Sequence, residues 1–293
     1  MLAGFVLFNP ASGSFVSLSQ ATLMDLEPNR HEQNMARWVL AGSLGNVVGP
    51  LILAASLILH QSWRGAFFVL AVFAGLPLAL LWCSPIRAKY DWKGSSPPDN
   101  TLSPTFSDGI RNAIVALKRL SVLRWLILLE CSDLMLDVLR GFIALYFVDV
   151  VGASNTQASI ALTVWLGFGL LGDVLLIPLL ERMQGLRYSR VSAVLVLVLY
   201  PAFLIAASLT VKLVILAGLG FLNAGWYSIL KGQLYKTMPG QSGTVMTLSN
   251  VVGLVGGFMP LLLSVFAQQV GFNPTMWVLL AAPIALLVGL PKA

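Results

Sequence analysis

Apolar stretches of membrane-spanning length recur nine times along the 293-residue chain, at about 2–24, 35–59, 65–83, 123–148, 157–180, 191–209, 212–231, 244–268 and 275–290. About twenty such residues, wound as a helix, cross roughly 30 Å of hydrocarbon. Short polar turns separate the stretches, apart from one long polar segment at about 84–122. The pattern predicts an all-α integral membrane protein, a bundle with about nine transmembrane helices. Interior Gly and Pro residues fit that prediction, because neighbouring helices and water satisfy the freed backbone groups.

The fourth stretch breaks the apolar rule in an ordered way. Glu130, Asp133, Asp137 and Arg140 have the spacing i, i+3, i+7, i+10. At 100° per residue these side chains fall within an arc of about 80°. A charge at the bilayer centre costs roughly 2.5–3.5 kcal/mol on insertion scales, so the face must look onto protein or water. The predicted face is the wall of a polar pathway. Carboxyls in such a setting serve as proton or cation sites. The alternative is a structural ion pair, with Arg140 clamping Asp137 inside the bundle. Asp173, which comes after Gly167, Gly169 and Gly172, needs a partner too, either Arg140 across the helices or the nearby loop.

Other polar positions extend the pathway. Asn223, Trp226 and Tyr227 share one predicted helix face and combine aromatic rings with polar tips, as substrate surfaces do. Ser12, Gln20 and Asn250 are predicted to line the same cavity or to bond neighbouring helices. Lys231 is predicted to snorkel to the membrane surface. Gly45, Gly49, Pro50, Gly256 and Pro260 read as devices for close helix packing and bending.

Composition agrees: 57% of residues are hydrophobic and 10% charged, with mean hydropathy +0.84. The net charge of +6 invites a nucleic-acid reading until the bases are located. With alternating spans, fifteen of the eighteen Lys and Arg residues fall in loops on one side, only Arg64 and Lys212 on the other, and Arg140 within a span. That asymmetry is the positive-inside signature, so the first set and the C-terminus are cytoplasmic and nucleic acid is no partner. Cys83 and Cys131 form no CxxC pattern, so no disulfide framework or metal site is expected.

The chain divides at the polar segment. Residues 1–83 hold three spans, 84–122 form a linker, and 123–293 hold six more. The linker is rich in Ser, Pro and Gly, from Tyr90 to Pro98, before a basic amphipathic run near 110–120 predicted to lie on the inner membrane face. The two sides echo each other. Pro28 and Pro239 lie 211 residues apart, and Pro50 and Pro260 lie 210 apart. A parallel repeat of that length is a transporter architecture. It has no room for partners of the spans at about 123–209, so three further N-terminal helices, roughly 90 residues, are expected to be missing.

Three patches resemble the major facilitator superfamily. Gly45-Asn46-Val47-Val48-Gly49-Pro50 resembles the fifth-helix GxxxGPxxGG motif of its drug antiporters, with Leu53-Ala54 in place of the last glycines. Pro178 to Arg187 is similar to the GxLaDRxGRR loop motif, with Glu181 for Asp and one inserted residue. Trp63-Arg64-Gly65-Ala66-Phe67-Phe68 resembles the start of helix six. Asn9 stands where proton-coupled members carry the Arg of an RxxxG motif. The resemblance implies a twelve-helix fold of which this chain supplies helices four to twelve. It makes Glu181, Arg182 and Arg187 part of a loop that braces the inward gate. It also implies secondary active transport of a small organic solute by alternating access, as proton-coupled efflux, with the protein a monomer in a bacterial cytoplasmic membrane. A solute importer of the same superfamily and a non-transporting remnant remain the alternatives.

Enzyme classes fit poorly. Gly169 to Asp173 breaks the GxGD spacing of intramembrane aspartyl proteases, and Tyr90-Asp91 lies in a loop. His31 and His60 sit near loops, not where a serine protease needs its base, and no HExxH occurs. No cofactor or metal is expected.

Overall fold

The computed structural model describes residues 2–58, 63–83 and 106–291, with some side chains near the ends of these segments left aside. His60, the Tyr90–Pro98 stretch and the side chains of Ser12, Trp63 and Cys83 lie outside the described residues. Every described regular element is helical. The first segment contains α1 (Leu2–Leu26), α2 (His31–Ile58) and α3 (Trp63–Cys83), with a 3-10 turn at Pro28–Arg30. The second contains α4 (Phe106–Leu117), α5 (Leu120–Asp133), α6 (Leu139–Leu145), α7 (Asn155–Arg182), α8 (Gly185–Ile205), α9 (Leu209–Asn223), α10 (Trp226–Thr237), α11 (Ser242–Gly256), α12 (Met259–Val270), α13 (Phe272–Val278) and α14 (Ala281–Gly289).

All nine predicted stretches fall on helices. Six rods among the described residues are both long and apolar enough to span a bilayer: Pro28–Ala55, Asn155–Arg182, Gly185–Ile205, Leu209–Thr237, Ser242–Val270 and Phe272–Gly289. A shorter apolar helix, Phe67–Leu76, lies in α3. The rod carrying the acidic residues is not continuous α-helix. Wide π-type turns at Leu134–Val138 and Tyr146–Val150 interrupt it.

The chain forms two units. One is Leu44–Asp108, which holds most of α2 and all of α3. The other is Met1–Ser43 together with Gly109–Ala293. In this larger unit α5 packs on α10, α11 and α14, while α9 packs on α7 and α8. Its outer positions are strongly apolar: Val198 is 66% exposed, Val214 68%, Leu254 70% and Val288 82%. Such a perimeter suits acyl chains, not water. The interior is tight and aromatic, with Tyr146, Phe147, Tyr200, Phe203 and Trp226 essentially inaccessible.

Local chemistry fixes the ends of the rods. Ser154 and Gln157 form a reciprocal capping box at the start of α7. The end of α8 is capped from outside by Lys212. Its ammonium donates to Phe203 O at 2.7 Å and Leu204 O at 3.2 Å, and to the Tyr146 hydroxyl at 2.8 Å, with the Tyr146 and Phe203 rings 5.0 and 5.1 Å away. Among the described residues carbonyl dipoles and ring faces thus hold a buried cation without an ion pair to a carboxylate. Arg124 and Arg190 cap the last turn of α14 through Gly289 O and Pro291 O.

Between α9 and α10 the rod breaks at Ala224-Gly225. Gly225 has φ +87° and lies on the Leu176 side chain, where any Cβ would collide. The break turns α10 to a new register and requires glycine twice over, by conformation and by space. Gly225→Ala should therefore destabilise the protein by about 1–3 kcal/mol. Thermal unfolding in detergent would show a lowered midpoint, and an unchanged midpoint would refute the reading.

Candidate functional site

The first π-type turn, Leu134–Val138, lies within the acidic face and carries Asp137 about one turn beyond Asp133, whose charge it influences. Glu130 and Asp133 act on Lys231 of α10, and Glu130 also abuts Gly256 of α11. Asp137 and Arg140 meet each other instead, at 2.8 Å, with side chains 65% and 40% exposed. The expected Arg140–Asp137 clamp is present, but Asp137 is exposed and not buried, so that part of the expectation is corrected.

The buried cation in the field of the remaining acids is Lys231, on α10, which forms no direct ion pair with them among the described residues. It is 2% exposed, and the charges that act on it are those of Asp133 and Glu130. The predicted snorkelling of Lys231 is wrong. Its side chain is held inside the bundle, with its ammonium 5.9 Å from the centre of the Tyr227 ring. Tyr227 in turn lies in the field of Asp133, Asp137 and Glu130, and its hydroxyl interacts with Gln20 of α1. Gln20 is itself 2% exposed and donates to the Met35 sulfur at 3.0 Å. Two acids, one lysine, one phenol and one carboxamide therefore converge from α1, α5 and α10. Gly256 on α11 leaves the space that the Glu130 carboxylate occupies, since a Cβ there would overlap it. The rod carrying Gly256 is interrupted at Gly257–Phe258, and α12 restarts with Pro260 in its first turn.

Other predicted positions lie elsewhere. Asp173 is buried and accepts from the Ser43 hydroxyl at 2.5 Å, so neither Arg140 nor the loop is its partner. Trp226 packs against α8 and donates from Nε1 to Ser192 Oγ at 2.8 Å. Trp226 and Tyr227 are successive on α10 and point about 100° apart, and the break at Gly225 separates both from Asn223 on α9. Asn223 is 1% exposed, and both its amide atoms are unpartnered at the last turn of α9. Asn250 is exposed on α11 and makes no hydrogen bond among the described residues. Gly45 and Gly49 have open space where a Cβ would stand, so the close packing expected there is not found among the described residues. Pro50 sits inside a continuous α2.

A second polar cluster lies at the end of the larger unit that carries Pro28–Arg37. Glu32, 7% exposed, accepts from Lys236 Nζ at 2.5 Å and Gln233 Nε2 at 2.6 Å. Gly185 and Gly232 leave just enough room for it. Gln33 donates to Leu180 O at 3.2 Å, Ser242 donates to the Asp25 carboxylate, and His31 stacks on Tyr235 with ring centres 6.1 Å apart. A cleft of 550 Å³ adjoins this cluster and is lined by Glu181, Arg182, Gln184 and Gln33 among others. Arg187 lies on the outer side of the same loop. Sequence reasoning missed Glu32, Gln233 and Lys236. The only available signal was an acid beginning a helix and a base one span away.

If Asp133 and Lys231 support each other, removing one charge should cost more than removing both. Lys231→Gln should lower the unfolding midpoint more than Asp133→Asn/Lys231→Gln does, with a coupling of about 0.5–3 kcal/mol. A thermal-denaturation double-mutant cycle measures it, and strict additivity would rule the pairing out.

The arrangement has known counterparts. A crystal structure of a variant of the E. coli fucose:proton symporter FucP resembles this fold with a TM-score of 0.67 at 14% sequence identity, over 93% of this chain and 72% of the symporter. A crystal structure of FucP in the outward conformation gives 0.59 at 17% identity, over 92% and 70%. At these identities the likeness is one of fold. Comparison with the curated proteins finds no match. The family model of the Major Facilitator Superfamily matches residues 1–260. The chain thus belongs to the major facilitator superfamily, as a multi-pass membrane transporter of small molecules and not an enzyme.

Proposed function

We propose that this protein couples the movement of a small organic solute to protons, with Asp133 as the proton-carrying group. The observation that supports this reading is the burial of Lys231 against Asp133 and Glu130 beside Tyr227 and Gln20. A carboxyl that shares a buried site with one lysine and a second acid has two competing ways to settle its charge. It keeps the lysine as counter-ion, or it takes a proton and frees the lysine. Solute entering the site shifts that balance, because polar solute groups compete for the same donors. Alternating access then results if the switch is transmitted along α10 to the gate.

The proposed inner gate is the Glu32, Gln233 and Lys236 cluster, on the face that the basic loops mark as cytoplasmic. Lys236 is five residues beyond Lys231 on the same helix, so the two cations move as one body. Glu181, Arg182 and Arg187 belong to the loop flanking this gate. With Asp137 exposed, its assigned role shrinks to tuning the local field together with Arg140. Asp173 and its Ser43 partner are proposed as a second cross-helix latch. The cavity roles of Asn223, Tyr227 and Gln20 stand as proposals, and Ser12 and Asn250 are secondary.

For direction, the Gly45–Pro50 resemblance to antiporters favours export. The fold likeness to a fucose:proton symporter favours a second reading, proton-driven uptake of a polyhydroxylated solute. The residues proposed for coupling serve either direction. The proposed setting is a bacterial cytoplasmic membrane, with the C-terminus inside and the protein acting as a monomer.

The test uses proteoliposomes with an imposed pH gradient and a panel of sugars, polyols and organic cations, read by a pH-sensitive dye. Wild-type protein should show solute-dependent proton flux for at least one class. Asp133→Asn should lose that flux while retaining solute exchange at equal concentrations, and Asp137→Asn should retain both. Full proton flux in Asp133→Asn would remove it from the coupling path.

A further inference from the structure

The loop joining α7 to α8 forms a second cleft, of 560 Å³, lined by Arg182, Met183, Gln184, Arg187, Arg190 and Val191. Three arginines line it, and among the described residues no acidic side chain does. Among the described residues none of the three forms an ion pair. Arg190 spends one N–H on Pro291 O and keeps the rest of its fork. Charges of one sign gathered in a concave site raise the local potential and attract an anion, although Arg182 and Arg187 are exposed and also solvated. Planar guanidinium groups match phosphate oxygens two at a time. The backbone supplies more of the same sign, because α8 starts at Gly185 with no side-chain cap from Gln184.

The surroundings decide which phosphate fits. The cleft sits where one spanning rod ends and the next begins, at the boundary between hydrocarbon and water. From it an apolar stripe runs up α8 through Val191, Val194, Leu195 and Val198, which are 53%, 47%, 44% and 66% exposed. The spacing i, i+3, i+4, i+7 places these four on one face. A soluble phosphate uses only the cleft, whereas a phospholipid uses the cleft and the stripe together. We propose that Arg182, Arg187 and Arg190 bind the phosphate of an anionic phospholipid whose acyl chains lie along this face of α8. Basic pockets at the cytoplasmic level of helical membrane proteins are suited to such headgroups.

Native mass spectrometry of the full chain in detergent tests the proposal, with phosphatidylglycerol and phosphatidylcholine as probes. Wild-type protein should retain the phosphatidylglycerol adduct at about tenfold lower lipid concentration, which corresponds to about 1.4 kcal/mol. Arg182→Gln/Arg187→Gln should abolish the preference, while Arg111→Gln/Lys118→Gln, which removes two exposed charges elsewhere, should leave it intact. Should the glutamine pair fail to fold, Arg182→Lys/Arg187→Lys keeps the charge but loses the fork and should weaken the preference several-fold. Inorganic phosphate at millimolar concentration should not displace the lipid. The proposal is overturned by an undiminished preference in either arginine pair, by an equal loss in the control pair, or by displacement with inorganic phosphate, which would mark a soluble-anion site.

Discussion

A lysine buried beside two acids is the constraint around which the larger unit is organised. Lys231 has almost no exposure, and burying a lone ammonium in a bundle of this composition would be prohibitive. Asp133 and Glu130 offset its charge across the bundle, without a direct ion pair among the described residues. Steric details elsewhere stem from that requirement. Gly256 has no side chain because the Glu130 carboxylate fills its space. Tyr227 and Gln20 supply polar atoms where an apolar wall would leave the charges unsolvated. An apolar core of the same volume would be more stable. A transporter requires instead a core whose charge state can change.

Helix irregularities deliver the groups to that site. The π-type turn at Leu134–Val138 carries Asp137, and α10, which starts anew after Gly225, presents Trp226 to α8 and Tyr227 and Lys231 to the acids of α5. Breaks within spans are costly in lipid unless protein covers them, and both of these lie in the packed interior. At the same break the Asn223 amide is buried without a hydrogen-bond partner among the described residues. Glu32 binds α10 through Gln233 and Lys236, and Lys231 lies on the same helix, so in the proposed mechanism one half-helix joins the proposed site to the proposed gate.

Much of the fold was legible from hydropathy alone, because a span must be about twenty apolar residues and nothing else in the chain competes with that signal. All nine stretches are helices, and the family resemblance rested on loop and kink motifs whose order survives at low identity. The site was only half legible. Glu130 and Asp133 stood out because acids in a span need a reason. Lys231 did not, since a lysine near the end of an apolar stretch ordinarily reaches water. Its direction is decided by the break at Gly225, and a single sequence does not report the angle of a break. The pairing of Asp137 with Arg140 was legible from their spacing, but the exposure of Asp137 was not, because helix period alone does not tell which part of a face neighbouring helices cover. Glu32 and its partners are separated by about two hundred residues, beyond any local pattern.

The central claim is that Asp133 exchanges a proton inside the bundle against Lys231. Infrared difference spectroscopy between acid and alkaline buffer, on protein in lipid, observes protonated carboxyl groups directly. The account predicts a buried-carboxyl band that vanishes in Asp133→Asn, persists in Asp137→Asn, and moves to higher pH in Lys231→Gln. A band that survives unchanged in Asp133→Asn, or one that ignores the loss of Lys231, would contradict it.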